Sequence, residues 1–153
     1  PGKVPAYWTR NAAASFILTT LSTTEGTTTY DHGEALDINN AALPKVVGFV
    51  QQTGSAVPAY WAGTSTNDLK TLSLTDGTNS YTEGVAYGIN DAGLIVGDVR
   101  TTDGGTLPVY WTDKDSNLTL LPTSGLSPSF PRYVGGVITD SQRILVRGIG
   151  LDD

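Results

Sequence analysis

The sequence predicts an all-β fold made of three repeats of about 50 residues, each with four short strands. A Pro-x-Tyr-Trp motif occurs at residues 5–8, 58–61 and 108–111, and it contains every tryptophan of the chain. Apolar segments of five or six residues recur between Gly, Asn, Asp, Pro and Ser, which is typical of strands joined by turns. No segment keeps a 3.6-residue periodicity over three turns, so we expect no helix beyond a single turn.

Three further strands follow each Pro-x-Tyr-Trp strand in a fixed order. The second is leucine-rich, the third ends near an Ile-Asn pair and the fourth contains Val-Gly in two of its three copies. The copies of these strands are 18–21, 69–72 and 118–121, then 35–40, 86–91 and 135–140, then 45–50, 94–99 and 144–149. Three copies in one order indicate a true internal repeat.

The loop between the third and fourth strands is predicted to be a tight hairpin at residues 90–93, because Asn, Asp and Gly tolerate a positive φ. The last copy, residues 139–142, keeps this length but has no glycine. The first copy has two extra residues and Pro44, so we expect a wider turn there. Ile38, Ile89 and Ile138 precede these loops, and we expect all three to be buried at equivalent places near the axis of the repeats.

Four-stranded repeats of this length favour a β-propeller-like fold in one domain, residues 1–153. The repeats are 5–57, 58–107 and 108–153, with residues 1–4 closing the ring. Propellers typically have four to eight blades, so three units make an unusually small ring, and two chains would make a six-bladed dimer. A β-trefoil or a β-prism is the alternative for three four-stranded units.

The spacing of the motifs continues almost in phase from Asp153 to a second Pro1, so the repeat is cut between its second and third strands, counted from the Ile-Asn strand. Open half-units leave unpaired edges and an uncovered apolar face. We therefore expect the strand at residues 4–8 to pair with the strand at 144–149. Pairing within one chain has the higher effective concentration and is favoured, with further end-to-end association between copies.

The repeat resembles the HAF family of extracellular repeats, most clearly between residues 58 and 111. The residues that carry the resemblance are Ala86, Ile89, Asn90, Gly93, Val96, Gly97, Tyr110 and Trp111. The last repeat departs from the pattern, with Gly135, Thr139 and Val146 in place of Ala, Asn and Gly. The resemblance implies a bacterial secreted or surface protein with propeller-like blades, and it implies no catalytic residue.

Composition excludes several classes of partner. The net charge of −6 argues against binding to nucleic acid or to an anionic membrane surface. No apolar run approaches the roughly 18 residues of a membrane-spanning helix. The absence of cysteine excludes disulfides, thiolate nucleophiles and Cys-ligated metals. With no methionine and only 16% charged residues, the chain suits an extracellular or cell-surface location.

Few residues could support catalysis. The single histidine, His32, precedes a glycine, and no nucleophile-elbow sequence accompanies it. Glu34 and Glu83 occupy similar places in two repeats, but the third repeat has no carboxylate there. The run at 113–117 resembles the start of a calcium loop but lacks its glycine and its final glutamate. We predict no enzyme activity, no cofactor and no metal.

Two functions remain. The first is a non-catalytic extracellular structural module that assembles with itself. The second is a carbohydrate-binding module that uses the repeated aromatic side chains Tyr7, Trp8, Tyr60, Trp61, Tyr110 and Trp111. Packing between repeats competes with sugar binding as the role of these rings. Glycosylation candidates are Asn117, in the sequon Asn-Leu-Thr, and the threonines Thr23, Thr24, Thr27 and Thr28.

Overall fold

A computed structural model describes residues 2–63, 68–124 and 132–149, with backbone alone at 132–135 and 147–149. These residues form strands and turns and contain no helix, which confirms the predicted all-β class. The strands are β1 (Ala6–Arg10), β2 (Phe16–Thr20), β3 (Thr24–Glu25), β4 (Thr28–Thr29), β5 (His32–Ile38), β6 (Val46–Gln52), β7 (Ser55–Trp61), β8 (Leu69–Thr71), β9 (Glu83–Ile89), β10 (Ile95–Arg100), β11 (Thr106–Trp111), β12 (Thr119–Leu120), β13 (Arg132–Ile138) and β14 (Ile144–Ile149).

Two four-stranded antiparallel units form the middle of the molecule. The first unit has the order β5-β6-β7-β8, and the second has the order β9-β10-β11-β12. In each unit the strands are neighbours in the chain. A single parallel bridge, Thr106 to Arg132, also links β11 to β13.

A two-stranded pair lies at each end of these units. The N-terminal pair, β1–β2, has the Pro-x-Tyr-Trp and leucine-rich motifs, which lie on β7 and β8 as the third and fourth strands of the first unit. The equivalence extends to hydrogen bonding, because Leu21 donates its backbone N–H to the carbonyl of Pro5 at 2.8 Å, as Leu72 does to Pro58 at 2.8 Å. The C-terminal pair, β13–β14, is equivalent to β5–β6, the first and second strands of the first unit. Each end of the molecule therefore carries half a unit.

A β-bulge recurs where the first strand of each unit meets the second. The register shifts between Ala35 and Asp37 in the first unit, and at equivalent places in the second unit and the C-terminal pair. The bulge explains the Val-Gly motif. A Cβ on Gly48 would lie 1.9 Å from the carbonyl oxygen of Glu34, and a Cβ on Gly97 would lie 2.0 Å from that of Val85.

The hairpin loops follow the sequence prediction. Gly93 has a φ of 87° and donates its N–H to the carbonyl of Asn90 at 3.0 Å. Gln142 takes the same place in the last copy with a φ of 61°, an uncommon conformation for a residue with a side chain. The first copy spans from Asn39 to Lys45 and is two residues wider, as expected.

The apolar core lies between consecutive units. One cluster joins Val47 and Tyr60 of the first unit to Ile89 and Trp111 of the second. Another cluster includes Tyr7 of the N-terminal pair and Trp61 of the first unit. The units therefore stack through their faces.

The expected closure within the chain does not form. β1 pairs with β2 and β14 pairs with β13, and the described residues contain no pairing between β1 and β14. β1 and β14 therefore each have one edge without a described partner strand, and none of the described sheets is closed. The junction from Asp153 to Pro1 lies outside the described residues.

The prediction of three buried isoleucines is confirmed for two of them. Ile89 and Ile138 are 4% and 6% exposed, because a preceding unit covers each. The prediction is wrong for Ile38, which is 41% exposed. Ile38 lies on the first complete unit, and the N-terminal pair supplies no first or second strand to cover it.

Candidate functional site

The aromatic motif occupies two environments. Trp61 and Trp111 are fully buried, and all three tryptophans lie among the described residues. Each of these two donates its indole N–H to a backbone carbonyl of the preceding unit, Trp61 to Ser22 and Trp111 to Ser73, both at 2.8 Å. Trp8 is the exception, with 64% of its surface exposed.

The tyrosines of the motif also pack between units. Tyr7 and Tyr60 are buried, and Tyr110 is half-buried. The ligand-binding interpretation needs accessible rings at every copy, and the buried rings of Trp61 and Trp111 offer no face to a sugar. Packing is therefore the role of the motif in the interior, and Trp8 is the copy that faces solvent.

An apolar surface surrounds Trp8. Leu18 lies directly opposite Trp8 in the β1–β2 register and is 52% exposed. Phe16 lies on the same face and is 70% exposed. Exposed apolar surface of this kind on one face of a two-stranded sheet marks a site of association or aggregation. We call Trp8, Leu18 and Phe16 the Trp8 face.

A second pair of exposed apolar residues is Ile38 on β5 and Leu145 on β14, a first and a second strand of the repeat. Leu145 on β14 is 67% exposed, whereas its equivalents Val47 and Val96 are fully buried. Val47 shares its core cluster with Ile89 of the following unit. Ile38 is the equivalent of Ile89, and Leu145 is the equivalent of Val47. Among the described residues, Ile38 has no residue of a preceding second strand packed against it, and Leu145 has no isoleucine of a following first strand, so both are exposed at opposite ends of the stack.

Grooves accompany these open ends. A cavity of about 460 Å³ lies beside β1 and β5, between Val4 and Trp8 on one side and Gly33 to Ala35 on the other. A cavity of about 480 Å³ lies beside β14, where its lining includes Tyr110 and Ile144. A smaller space of about 180 Å³ occupies the equivalent place between the two complete units. Each open end therefore has a groove beside its unpaired strand.

Polar ladders run across the units at the hairpin loops. Asn39 and Asn90 each donate a side-chain N–H to the backbone carbonyl of the equivalent residue in the next unit. One residue further on, Asn40 donates its backbone N–H to the carboxylate of Asp91 at 2.7 Å. Asp91 repeats this contact with Asp140 at 2.9 Å. These hydrogen bonds connect successive units at the hairpin loops, in addition to the apolar core between the units.

One buried acid escaped sequence reasoning. Asp98 on β10 is 8% exposed, and burial raises the pKa of its carboxyl to about 7. Hydrogen bonds from the Tyr87 hydroxyl and the Val85 backbone N–H oppose this shift. Burial in turn raises the pKa of Tyr87 to about 12. Phe49 occupies the equivalent place in the first unit, so the repeat pattern itself marks Asp98 as unusual.

The candidate catalytic and metal residues are not brought together. Glu83 forms an ion pair with Arg100 at 3.3 Å, and Glu34 forms one with Lys3. In the described ranges, no three His, Cys, Asp or Glu residues are grouped closely enough to hold a metal ion. No helix in these ranges is long and apolar enough to cross a membrane.

The threonine candidates for glycosylation lie on and around the β3–β4 hairpin, with Thr24 on β3 and Thr28 on β4. Asn117 is exposed, and its side-chain oxygen accepts a hydrogen bond from the Ser73 hydroxyl at 3.3 Å. Thr27 is exposed in the β3–β4 turn. The remaining three candidates, Thr23, Thr24 and Thr28, are half-buried.

Comparison with known proteins finds no matching family model, no matching curated protein and no matching solved structure. The resemblance to HAF repeats therefore stays a prediction from the motifs.

Proposed function

We propose that this chain is a non-catalytic structural module, extracellular or at the cell surface, that assembles with other copies of itself through its two open ends. The observation that carries the proposal is the contrast between Trp8, which is 64% exposed, and Trp61 and Trp111, which are fully buried.

The repeat supplies the reason for this contrast. At two of three copies, the preceding unit covers the tryptophan and accepts its indole N–H. Trp8 keeps the same motif without that cover. A large ring that sits in the solvent at one copy and in the core at the others is typical of a surface used for association.

The two ends carry complementary halves of a unit. β1 has an open edge on the side where a second strand would pair, and β14 has an open edge on the side where a third strand would pair. Such edges associate readily by strand addition. Low charge, abundant hydroxyl side chains and the lack of cysteine and methionine support the proposed location.

Quenching of tryptophan fluorescence by acrylamide tests the proposal. At low protein concentration Trp8 should be quenched readily, and it should become protected as the concentration rises and the ends associate. The Trp8→Phe variant retains the two buried tryptophans and should show weak, concentration-independent quenching.

Two outcomes would count against self-assembly. Trp8 that remains quenchable at every concentration would leave the open ends without a partner. Protection of Trp8 in dilute protein by added oligosaccharide would instead favour the carbohydrate-binding role.

A further inference from the structure

We propose that β14 of one copy of this chain pairs with β1 of a second copy. This inference rests on the proposed self-assembly and specifies its partner strands and their register. Each joint completes one four-stranded unit from β13–β14 of one copy and β1–β2 of the other.

The complete units provide the template for the joint. Their second and third strands pair antiparallel, with Val46 opposite Trp61 and Ile95 opposite Trp111. The equivalent residues in the two open pairs are Ile144 and Trp8. The same register places Val146 opposite Ala6, as Gly97 is opposite Val109.

The joint covers the exposed pair on the first and second strands. In the interior, Ile89 packs in one cluster with Val47 of the preceding unit. The composite unit precedes β5, so it would place Leu145 of one copy against Ile38 of the other. These two residues are 67% and 41% exposed in the single chain.

The joint also covers the Trp8 face. Trp111 shares its core cluster with Tyr60 and Leu72 of the preceding unit. The equivalents that would face Trp8 of the other copy are Tyr110 and Leu121. The indole N–H would then point toward the carbonyl of Pro122, which follows Leu121 as Ser73 follows Leu72.

The polar ladder continues across the same joint. In the chain, the backbone N–H of Asp91 donates to the side-chain oxygen of Asp140. At the joint, the backbone N–H of Asp140 would donate to the side-chain amide oxygen of Asn40 in the other copy. Asn40 is the equivalent of Asp91 and Asp140, whose carboxylates accept this bond within the chain. The acceptor is thus present in the sequence at the end that needs it.

Cross-linking of a double cysteine variant, Ala6→Cys with Val146→Cys, tests the inference. The natural chain has no cysteine, and directly opposite residues in an antiparallel pair have Cβ atoms about 5 Å apart. A short thiol cross-linker should give covalent species of twice the chain mass or more on a denaturing gel. The matched control is Ala12→Cys with Val146→Cys, since Ala12 lies in the exposed β1–β2 loop.

Each other result overturns the inference. An internal link without a change in mass indicates closure within the chain. Cross-linking no stronger than in the control contradicts the register. If the double variant does not fold, Thr9→Cys with Arg143→Cys lies in the same register at two exposed positions.

The test separates this inference from the proposed function. A chain that associates without this cross-link keeps the self-assembly role and loses the pairing of β14 with β1. A natural chain that stays single at every concentration loses both.

Discussion

The side-chain amide of Asn39 donates to the backbone carbonyl of Asn90 in the next unit, at a distance of 3.3 Å. Asn90 repeats the contact with Thr139, also at 3.3 Å. The other side-chain atom of each asparagine closes its own hairpin, since its oxygen accepts the N–H of Lys45 at 2.8 Å or of Leu94 at 2.9 Å. The Ile-Asn motif therefore holds both a turn and a joint between units.

Truncation of Asn90 should destabilise the fold. Asn90 is 2% exposed, and Asn90→Ala removes two hydrogen bonds from a buried place. We expect the free energy of unfolding to fall by about 1–3 kcal/mol in urea titrations at fixed protein concentration. The control is Asn11→Ala, in an exposed loop where the side chain accepts the Ser15 N–H at 3.0 Å. Equal losses of unfolding free energy for both variants would show that the hydrogen bonds between units add no stability of their own.

The all-β class and the hairpin turns could be predicted because they depend on local patterns. Turn residues and alternating apolar segments mark strands and turns, and the described residues form them. The exposure of Ile38 and Trp8 could not be predicted this way, because it depends on which neighbouring unit is absent and not on the residue itself. Asp98 was missed for a related reason, since its burial comes from its position between strands.

The equivalent isoleucines should respond differently to truncation. Ile89→Ala removes a buried side chain and should cost about 2–5 kcal/mol of unfolding free energy. Ile38→Ala changes a side chain that is 41% exposed in the single chain, so its cost in dilute protein should be about 1 kcal/mol or less. Chemical denaturation at low concentration measures both. A loss for Ile38→Ala as large as that for Ile89→Ala would show that Ile38 is covered in a single chain.

The hairpin of the last copy should accept a stabilising change. Gln142 has a φ of 61°, where glycine has no steric penalty. Gln142→Gly should raise the unfolding free energy by roughly 0.5–1 kcal/mol, and Gly93→Ala should lower it by about 1 kcal/mol or more. Thermal unfolding of both variants checks the signs. A loss for Gln142→Gly would mean that its side chain contributes a contact that outweighs the backbone strain.

The buried acid should make stability depend on pH. The pKa of Asp98 is about 7 in the folded chain, above its ordinary value of 3.8, so the folded state binds the proton more tightly. The stabilisation from this proton is complete below pH 3.8 and is lost as the pH rises to about 7. Its size is on the order of a few kcal/mol.

The Asp98→Asn variant isolates this contribution. It keeps a hydrogen-bonding side chain without a charge, so its unfolding free energy should exceed that of the natural chain at pH 8. The difference should shrink toward pH 4. Parallel pH profiles for the two proteins would show that Asp98 does not carry the dependence.

The native mass of the natural chain in solution, measured by light scattering over a range of concentrations, tests the central claim most directly. We predict a mass of at least twice the chain mass at micromolar concentration, and a single-chain mass for Trp8→Ala because loss of a central tryptophan weakens each joint by about 30-fold or more. A natural chain that remains single at the highest concentration, or a pair that Trp8→Ala leaves unchanged, would contradict the claim that the open ends meet through Trp8.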